Sequence, residues 1–115
     1  EVPPQQVDGP ESGDLLVLGW GGTYGALATA VRLMWQHGAA ISHAHLRYLN
    51  PLPANLGDVL SRFDKVLIPE LNTGQLRMLI RSRYMVDAKG LNKVTGRPFS
   101  VAEVVEAIET VMESQ

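Results

Sequence analysis

The sequence predicts an α/β fold in which a mostly parallel sheet lies between two layers of helices. Apolar runs of strand length alternate with longer segments of helical periodicity, and the connections between them are short. This pattern is typical of parallel sheets that are covered on both faces. Of the 115 residues, 45% are hydrophobic, so the chain can form one compact core and is too short for two.

The first half of the chain predicts two strands with a helix between them. Asp14 to Gly19 is an apolar run that predicts the first strand. The helix from about Tyr24 to His37 repeats apolar residues on one face, and Gly38 ends it. The second strand runs from Ala40 to Arg47, and its small residues allow a helix to pack close to the sheet.

The second half continues this alternation. Because proline lacks the N–H group that a central strand uses, Pro69 is placed at the end of its strand. Ser100 and Glu103 have the spacing of a capping box, which marks the start of the last helix. The predicted elements are a helix with Pro53 in its first turn, a strand at Asp64–Glu70, a helix at Thr73–Tyr84 with Arg77, Arg81 and Arg83 mostly outward, a strand around Met85–Gly90 and a helix after Ser100.

The first residues differ in composition from the rest of the chain. Residues 1–13 are rich in proline, glutamine, glycine and acidic residues, and the first residue is not methionine. We interpret them as a linker that leads into a single domain at residues 14–115. The chain is therefore expected to be a piece of a longer polypeptide.

Composition narrows the possible functions. Ten basic and twelve acidic residues give a formal net charge of −2, so nothing indicates a nucleic-acid partner or an anionic membrane surface. No apolar run approaches the length of a transmembrane helix, and a cytoplasmic setting is expected. Because the sequence has no cysteine, it cannot supply a disulfide, a thiolate nucleophile or the thiolate ligands of an iron–sulfur cluster.

The glycine-rich turn between the first strand and the first helix is the most distinctive local motif. Such turns present backbone N–H groups to anions, so the candidate cofactor-binding residues are Gly19, Gly21, Gly22 and Thr23. The dinucleotide motif is not matched, because Tyr24 stands at the third glycine position and Arg47 stands where an acidic ribose ligand would be. No Gly-Lys-Ser/Thr follows for a P-loop. We therefore expect these glycines to serve a tight turn and close helix packing rather than phosphate binding. Phosphate binding remains an alternative.

Polar residues at predicted strand ends are the other candidates. Arg47, Glu70 and Asn72 are placed at the carboxyl edge of the sheet, as a ligand-binding edge or an interface. The simpler expectation is that Glu70 accepts hydrogen bonds from a neighbouring loop while Asn72 or Thr73 caps the next helix.

The remaining polar residues give no catalytic set. His43 and His45 share one face of their strand, but no third ligand is indicated, so no metal site is predicted. The serines lack the Gly-x-Ser-x-Gly motif of hydrolases. No catalytic residue is therefore predicted within this segment.

Four segments together resemble one enzyme family. They are residues 14–25 (DLLVLGWGGTYG), 45–53 (HLRYLNPLP), 63–76 (FDKVLIPELNTGQL) and 91–99 (LNKVTGRPF). In this order they are similar to the C-terminal domain of the alpha subunit of 2-oxoacid:ferredoxin oxidoreductases, most closely the 2-oxoglutarate type. The resemblance covers about Asp14 to Met112. One departure is Gly22, where serine is expected, and it weakens any role for a side-chain hydroxyl at the turn.

The resemblance implies a fold and a role. The fold is a transketolase C-terminal-like, three-layer α/β/α sandwich around a five-stranded sheet, in which an added antiparallel strand has room only at Gln5–Asp8. The enzymes convert a 2-oxoacid and coenzyme A into acyl-CoA and carbon dioxide and reduce ferredoxin. The resemblance also implies that thiamine diphosphate and the iron–sulfur cluster are held mainly by the partner beta subunit and other domains.

The segment is then expected to be a structural and assembly domain that contacts the beta subunit and the other alpha-subunit domains. Two alternatives stay open at this point. One is an autonomous module that binds a nucleotide or coenzyme A through the glycine turn, Arg47 and Asn72. The other is the equivalent domain of a transketolase or a 2-oxoacid dehydrogenase.

Overall fold

The structure, a computed structural model, describes residues 2–71, 74–93 and 97–114. Strands and helices alternate along the chain, as the sequence predicts. They are β1 (Gly13–Trp20), a 3-10 turn (Gly21–Thr23), α1 (Tyr24–Trp35), β2 (Ile41–Leu46), α2 (Leu56–Ser61), β3 (Phe63–Glu70), α3 (Gln75–Tyr84), β4 (Lys89–Asn92) and α4 (Val101–Glu113). None of the described helices is long and apolar enough to cross a bilayer.

The four strands form one parallel sheet in the order β2-β1-β3-β4. At its centre, Leu16 of β1 lies between Ser42 of β2 and Val66 of β3. Pro69 is the penultimate residue of β3 and lies opposite Leu91 of the edge strand β4. The predicted α/β class with a parallel sheet is therefore confirmed, and Pro69 stands near the strand end where its missing N–H matters least.

The predicted count of five strands is wrong for the described residues, which form four. Where an antiparallel strand is expected at Gln5–Asp8, a single antiparallel bridge joins Asp8 to His43 at the outer edge of β2. The Asp8 N–H donates to the His43 carbonyl at 2.8 Å, and the His43 N–H donates to the Asp8 carbonyl at 3.0 Å. Gly9 then takes a φ of 112° and Pro10 has no N–H, so the pairing ends directly after the bridge.

Residues 3–10, here called the N-terminal segment, pack along the edge of β2. The Gln5 N–H donates to the Asn55 side chain at 2.7 Å, and the Gln5 side chain donates to the His45 carbonyl at 3.0 Å. The Ser42 hydroxyl donates to the Pro10 carbonyl. These contacts attach the segment to the sheet, while a domain boundary at residue 14 stays a prediction.

Two apolar layers lie on opposite faces of the sheet. Consecutive residues of a strand point to opposite faces, so Leu16 enters the layer of α2 and α3, with Leu56 and Ile80, while Leu15 enters the layer of α1 and α4. All of these side chains are fully buried, and each contributes about 1.5–3 kcal/mol to folding. The three-layer α/β/α sandwich is confirmed.

Several element boundaries differ from those predicted. The helix predicted to contain Pro53 begins only at Leu56, whose N–H donates to the Pro53 carbonyl at 3.1 Å. The strand predicted around Met85–Gly90 lies later in the chain, because Met85 caps the C-terminus of α3 in the left-handed conformation (φ 56°) and β4 runs from Lys89 to Asn92. The residues between Met85 and Lys89 carry the chain from the end of α3 back to the sheet.

The basic outer face of α3 is only partly as predicted. Arg81 and Arg83 are exposed, and Arg81 lies 3.5 Å from the Asp87 carboxylate. Arg77 is instead half-buried and donates through Nε to the Ala88 carbonyl at 3.0 Å. A side-chain carbon on Gly90 would lie 2.8 Å from the Arg77 Cδ, so the glycine leaves room for this arginine across β4.

Helix α4 is fixed at both ends. The predicted capping box is confirmed, since the Glu103 N–H donates to the Ser100 hydroxyl at 3.1 Å and the Ser100 N–H donates to the Glu103 carboxylate at 2.8 Å. The hydrogen bond from Lys93 lowers the pKa of Glu103 to about 2. At the other end, the Lys65 ammonium donates to the carbonyls of Val111, at 2.9 Å, and Ser114.

Candidate functional site

The carboxyl edge of the sheet is the first place to look for a site, because open α/β sheets bind ligands where neighbouring strands lead to opposite sides. Here β1 leads through α1 to β2 on one side, and its neighbour β3 leads through α3 to β4 on the other. The crevice therefore lies between the ends of β1 and β3, at Trp20 and Glu70.

Glu70 fills this crevice from within the chain. Its carboxylate is fully buried and accepts hydrogen bonds from the N–H groups of Leu76 and Arg77, at 2.8 and 3.1 Å, and from the Trp20 indole at 3.3 Å. Both backbone donors belong to the first turn of α3. A carboxylate at a helix N-terminus is favourable because the helix dipole and free N–H groups attract negative charge.

The position that an anionic ligand takes in many α/β proteins is therefore held by an internal side chain. Glu70 was expected to accept hydrogen bonds from a loop, and its donors are instead α3 and Trp20. The N-cap of α3 is Gly74. Asn72 and Thr73, the predicted capping residues, lie outside the described residues, so the suggested role of Asn72 stays a prediction.

The glycine turn has one tightly packed glycine and several open ones. A side-chain carbon on Gly19 would collide with Leu27 Cδ1 and lie 3.0 Å from His45 Nδ1. Gly21 has a φ of 66°, a conformation that favours glycine. Added carbons on Gly21 or Gly22 would meet nothing within 4 Å. Gly19 thus allows close helix packing and Gly21 allows the turn, while the backbone at Gly21 and Gly22 is open to approach.

The Thr23 hydroxyl is not available to a ligand. Its side chain is buried and donates to the Trp20 carbonyl at 3.0 Å. Although Thr23 is the N-cap of α1, its side chain makes no capping hydrogen bond, and the first turn of α1 contains no acidic residue. The N-terminus of α1 therefore lacks the carboxylate that α3 and α4 receive from Glu70 and Glu103.

A cavity of about 700 Å³ opens beside this helix end. It lies between the outer edge of β2, the glycine turn and the N-terminal segment. Of the predicted site residues, it brings together Gly21 and Arg47, and it does not include Gly19, Gly22, Thr23 or Glu70. The lining residues are Pro3, Pro4, Gln5, Gln6, Asp8, Gly21, Tyr24, His43, His45, Arg47, Tyr48 and Pro53.

Three aromatic rings pack together in the wall of this cavity. The ring centroid of Tyr24 lies 5.4 Å from that of His43 and 5.2 Å from that of His45, and the two histidine rings are 5.6 Å apart. His45 Nε2 lies 3.0 Å from the Gly21 carbonyl, which fixes Nε2 as the protonated nitrogen because a carbonyl only accepts. The His45 ring therefore holds the glycine turn against β2.

His43 is the unusual member of this group. It is 2% exposed, and its Nε2 has no hydrogen-bond partner among the described residues. Burial, with a smaller effect from His45, lowers the pKa of His43 from 6.5 to about 4, so the ring is neutral near pH 7. A buried polar nitrogen without a partner costs free energy, and His45 Nδ1 in the same group likewise has no partner among the described residues.

From the sequence, the histidine pair is weighed as metal ligands or as ordinary packed or surface residues, and no metal site is predicted. Among the described residues, no group of three His, Cys, Asp or Glu side chains could hold a metal ion. Reasoning from sequence did not find the contribution of Tyr24, Tyr48 or the N-terminal segment to this cavity. The one feature of the sequence that pointed to this cavity was the position of His43 and His45 on the same face of their strand.

The chain is similar to subunits of known oxidoreductases. It is 46% identical over 112 residues to the 2-oxoglutarate oxidoreductase subunit KorA of Mycobacterium tuberculosis, covering 96% of this chain and 17% of that subunit. It is 33% identical over 105 residues to subunit alpha of 2-oxoacid:ferredoxin oxidoreductase 1 of Aeropyrum pernix, covering 87% of this chain and 16% of that subunit. The chain thus spans less than a fifth of these curated relatives. No family model matches it.

Solved structures share the fold. A 2-oxoglutarate:ferredoxin oxidoreductase from Magnetococcus marinus, with 2-oxoglutarate, coenzyme A and succinyl-CoA bound, matches 97% of the chain and 20% of its own with a TM-score of 0.90 at 24% identity. An inactive tetramer of a split-gene transketolase matches 93% of the chain and 41% of its own with a TM-score of 0.69 at 15% identity. The chain is homologous to a segment of 2-oxoacid:ferredoxin oxidoreductase subunits, and the resemblance in its four motifs is confirmed.

Proposed function

We propose that this chain is the C-terminal structural and assembly domain of the alpha subunit of a 2-oxoglutarate:ferredoxin oxidoreductase in the cytoplasm. The observation that carries the proposal is the 46% identity to the Mycobacterium tuberculosis subunit, which extends over nearly the whole chain. The complete enzyme would convert 2-oxoglutarate and coenzyme A into succinyl-CoA and carbon dioxide, with electrons passing to ferredoxin.

The residues of this chain fit a supporting role better than a cofactor-binding one. The sequence contains no cysteine, so an iron–sulfur cluster with thiolate ligands would be held elsewhere in the enzyme. The described residues do not form a group of metal ligands that could hold the cation of a metal–diphosphate complex. The family resemblance places thiamine diphosphate, which supplies carbanion stabilisation when bound, mainly in the beta subunit and other domains.

An apolar surface on α3 supports contact with another part of the enzyme. Met78 and Met85, seven positions apart, are 69% and 86% exposed. The exposed Arg81 and Arg83 lie on the same helix. Exposed methionine and arginine side chains are enriched at protein interfaces, so we assign this surface to contact with the beta subunit or another alpha-subunit domain.

The test uses the full-length alpha subunit co-expressed with its beta subunit. Activity is measured as 2-oxoglutarate- and coenzyme-A-dependent reduction of ferredoxin, and assembly is measured by size-exclusion chromatography with light scattering. Met78→Glu is expected to weaken assembly, whereas the matched Leu33→Glu, on the exposed face of α1, is expected to leave it intact.

The isolated chain is expected to show no turnover with 2-oxoglutarate, coenzyme A and ferredoxin, even when thiamine diphosphate is added. Turnover by the isolated chain would contradict a supporting role. Transketolase or lipoate-dependent dehydrogenase activity of the assembled enzyme, without ferredoxin reduction, would instead favour the alternative that this is the equivalent domain of those enzymes.

A further inference from the structure

We infer that the cavity at the edge of β2 is a binding site for a small anion that carries a planar ring, of the nucleoside-phosphate class. The cavity is lined by Gly21, Tyr24, His43, Arg47 and Tyr48, among others. Its volume of about 700 Å³ falls in the range of roughly 300–1,000 Å³ that small-molecule sites occupy. This inference does not depend on the oxidoreductase function proposed above.

The end of the cavity near α1 suits a negative charge. Helix α1 has 12 residues, and its first turn has neither a side-chain cap nor an acidic residue, so its N-terminal N–H groups and dipole attract an anion. The exposed Arg47 lines the same cavity and can bind phosphate oxygens with two N–H groups. Asp8 is the only acid among the described lining residues, and the Arg32 guanidinium lies 3.7 Å from it.

The rest of the cavity suits a planar ring. Tyr24 and Tyr48 are 51% and 47% exposed, although aromatic side chains of this size usually bury more of their surface. Their rings offer faces on which a heteroaromatic ring can stack. Gly21 carries no side chain that would block the approach, since an added carbon there meets nothing within 4 Å.

His43 adds a third aromatic side chain to the cavity. Its ring lies in the cavity wall, is almost fully buried, and carries an Nε2 without a partner among the described residues. A ligand in the cavity would contact the His43 ring, while Nε2 itself is enclosed by the protein. The crevice between β1 and β3 cannot serve instead, because the Glu70 carboxylate already holds the N-terminus of α3 there.

The test is isothermal titration calorimetry of the 115-residue chain with AMP, adenosine and inorganic phosphate. AMP is expected to bind at one site per chain, and adenosine and phosphate are expected to bind more weakly because each supplies only part of the contacts. Arg47→Gln should weaken AMP binding by about tenfold, and Tyr24→Ala should weaken binding of both AMP and adenosine. Arg83→Gln, the same change on the exposed surface of α3, should have no effect.

A second readout places the ligand without any substitution. In nuclear magnetic resonance spectra, AMP should shift the signals of the His43 ring and of the Gly21–Tyr24 backbone. A flat titration with millimolar AMP would overturn the inference, and that is the result expected if a segment of another subunit fills the cavity. Unchanged AMP affinity in Arg47→Gln, or shifts confined to residues outside the cavity, would also overturn it.

Discussion

Glu70→Gln tests how the carboxyl edge of the sheet is held together, because it removes one charge with almost no change in size. In the native protein, one carboxylate oxygen accepts from the Leu76 N–H and the Trp20 indole, and the other accepts from the Arg77 N–H. A glutamine can keep its oxygen toward Leu76 and Trp20. Its amide NH₂ then faces the Arg77 N–H, and two donors oppose each other.

The expected loss in the free energy of unfolding is about 3 kcal/mol. A hydrogen bond to a charged group contributes about 1.5–3 kcal/mol, and the favourable interaction of a carboxylate with a helix N-terminus adds about 0.3–1 kcal/mol. Glu70→Ala should cost more, since it also leaves the buried Leu76 N–H and the Trp20 indole without an acceptor.

The assay is urea denaturation followed by circular dichroism, with Glu109→Gln on the exposed surface of α4 as the matched control. The control should remain within about 0.5 kcal/mol of the wild type, as is usual for surface substitutions. If Glu70→Gln also remained within that margin, the reasoning that its carboxylate anchors α3 to the sheet would be refuted.

Three further predictions concern stability. Gly19→Ala should cost about 1–3 kcal/mol because its methyl group collides with Leu27, while Gly25→Ala, with nothing within 4 Å, should stabilise the chain by about 0.5–1 kcal/mol; thermal melts compare the two. Because the pKa of His43 is lowered from 6.5 to about 4, its contribution is present above pH 6.5 and up to about 3 kcal/mol is lost as the pH falls to about 4. Urea denaturation across this range measures it, and an unchanged pH dependence in His43→Phe would contradict it. Lys65→Met removes the hydrogen bonds to the last carbonyls of α4 and should cost about 1 kcal/mol, seen as faster hydrogen exchange in its last turn.

Local sequence chemistry was enough to predict the layers of this fold. The apolar run that contains Leu15 and Leu16, short and followed by a glycine-rich turn, is typical of a strand buried on both faces. The Ser100–Glu103 spacing is typical of a helix start. These features depend on residues that are close in the sequence. Their physical cause is therefore visible before any tertiary contact is known.

Features that depend on distant residues were not predictable in the same way. The start of β4 is set by how far the chain must travel from the left-handed Met85 back to the sheet. The cavity exists because β2 lies at the sheet edge, where Tyr24 can reach His43 and His45. Sequence periodicity gives the face of a residue but gives neither strand order nor the neighbours that the order creates.

The bridge between Asp8 and His43 also determines where the chain can be truncated without exposing a strand edge. Without the N-terminal segment, the outer backbone groups of β2 would be free to pair with a second copy of the same strand. A truncated version starting at residue 14 would thus be prone to self-association, and soluble fragments should retain residues 3–10.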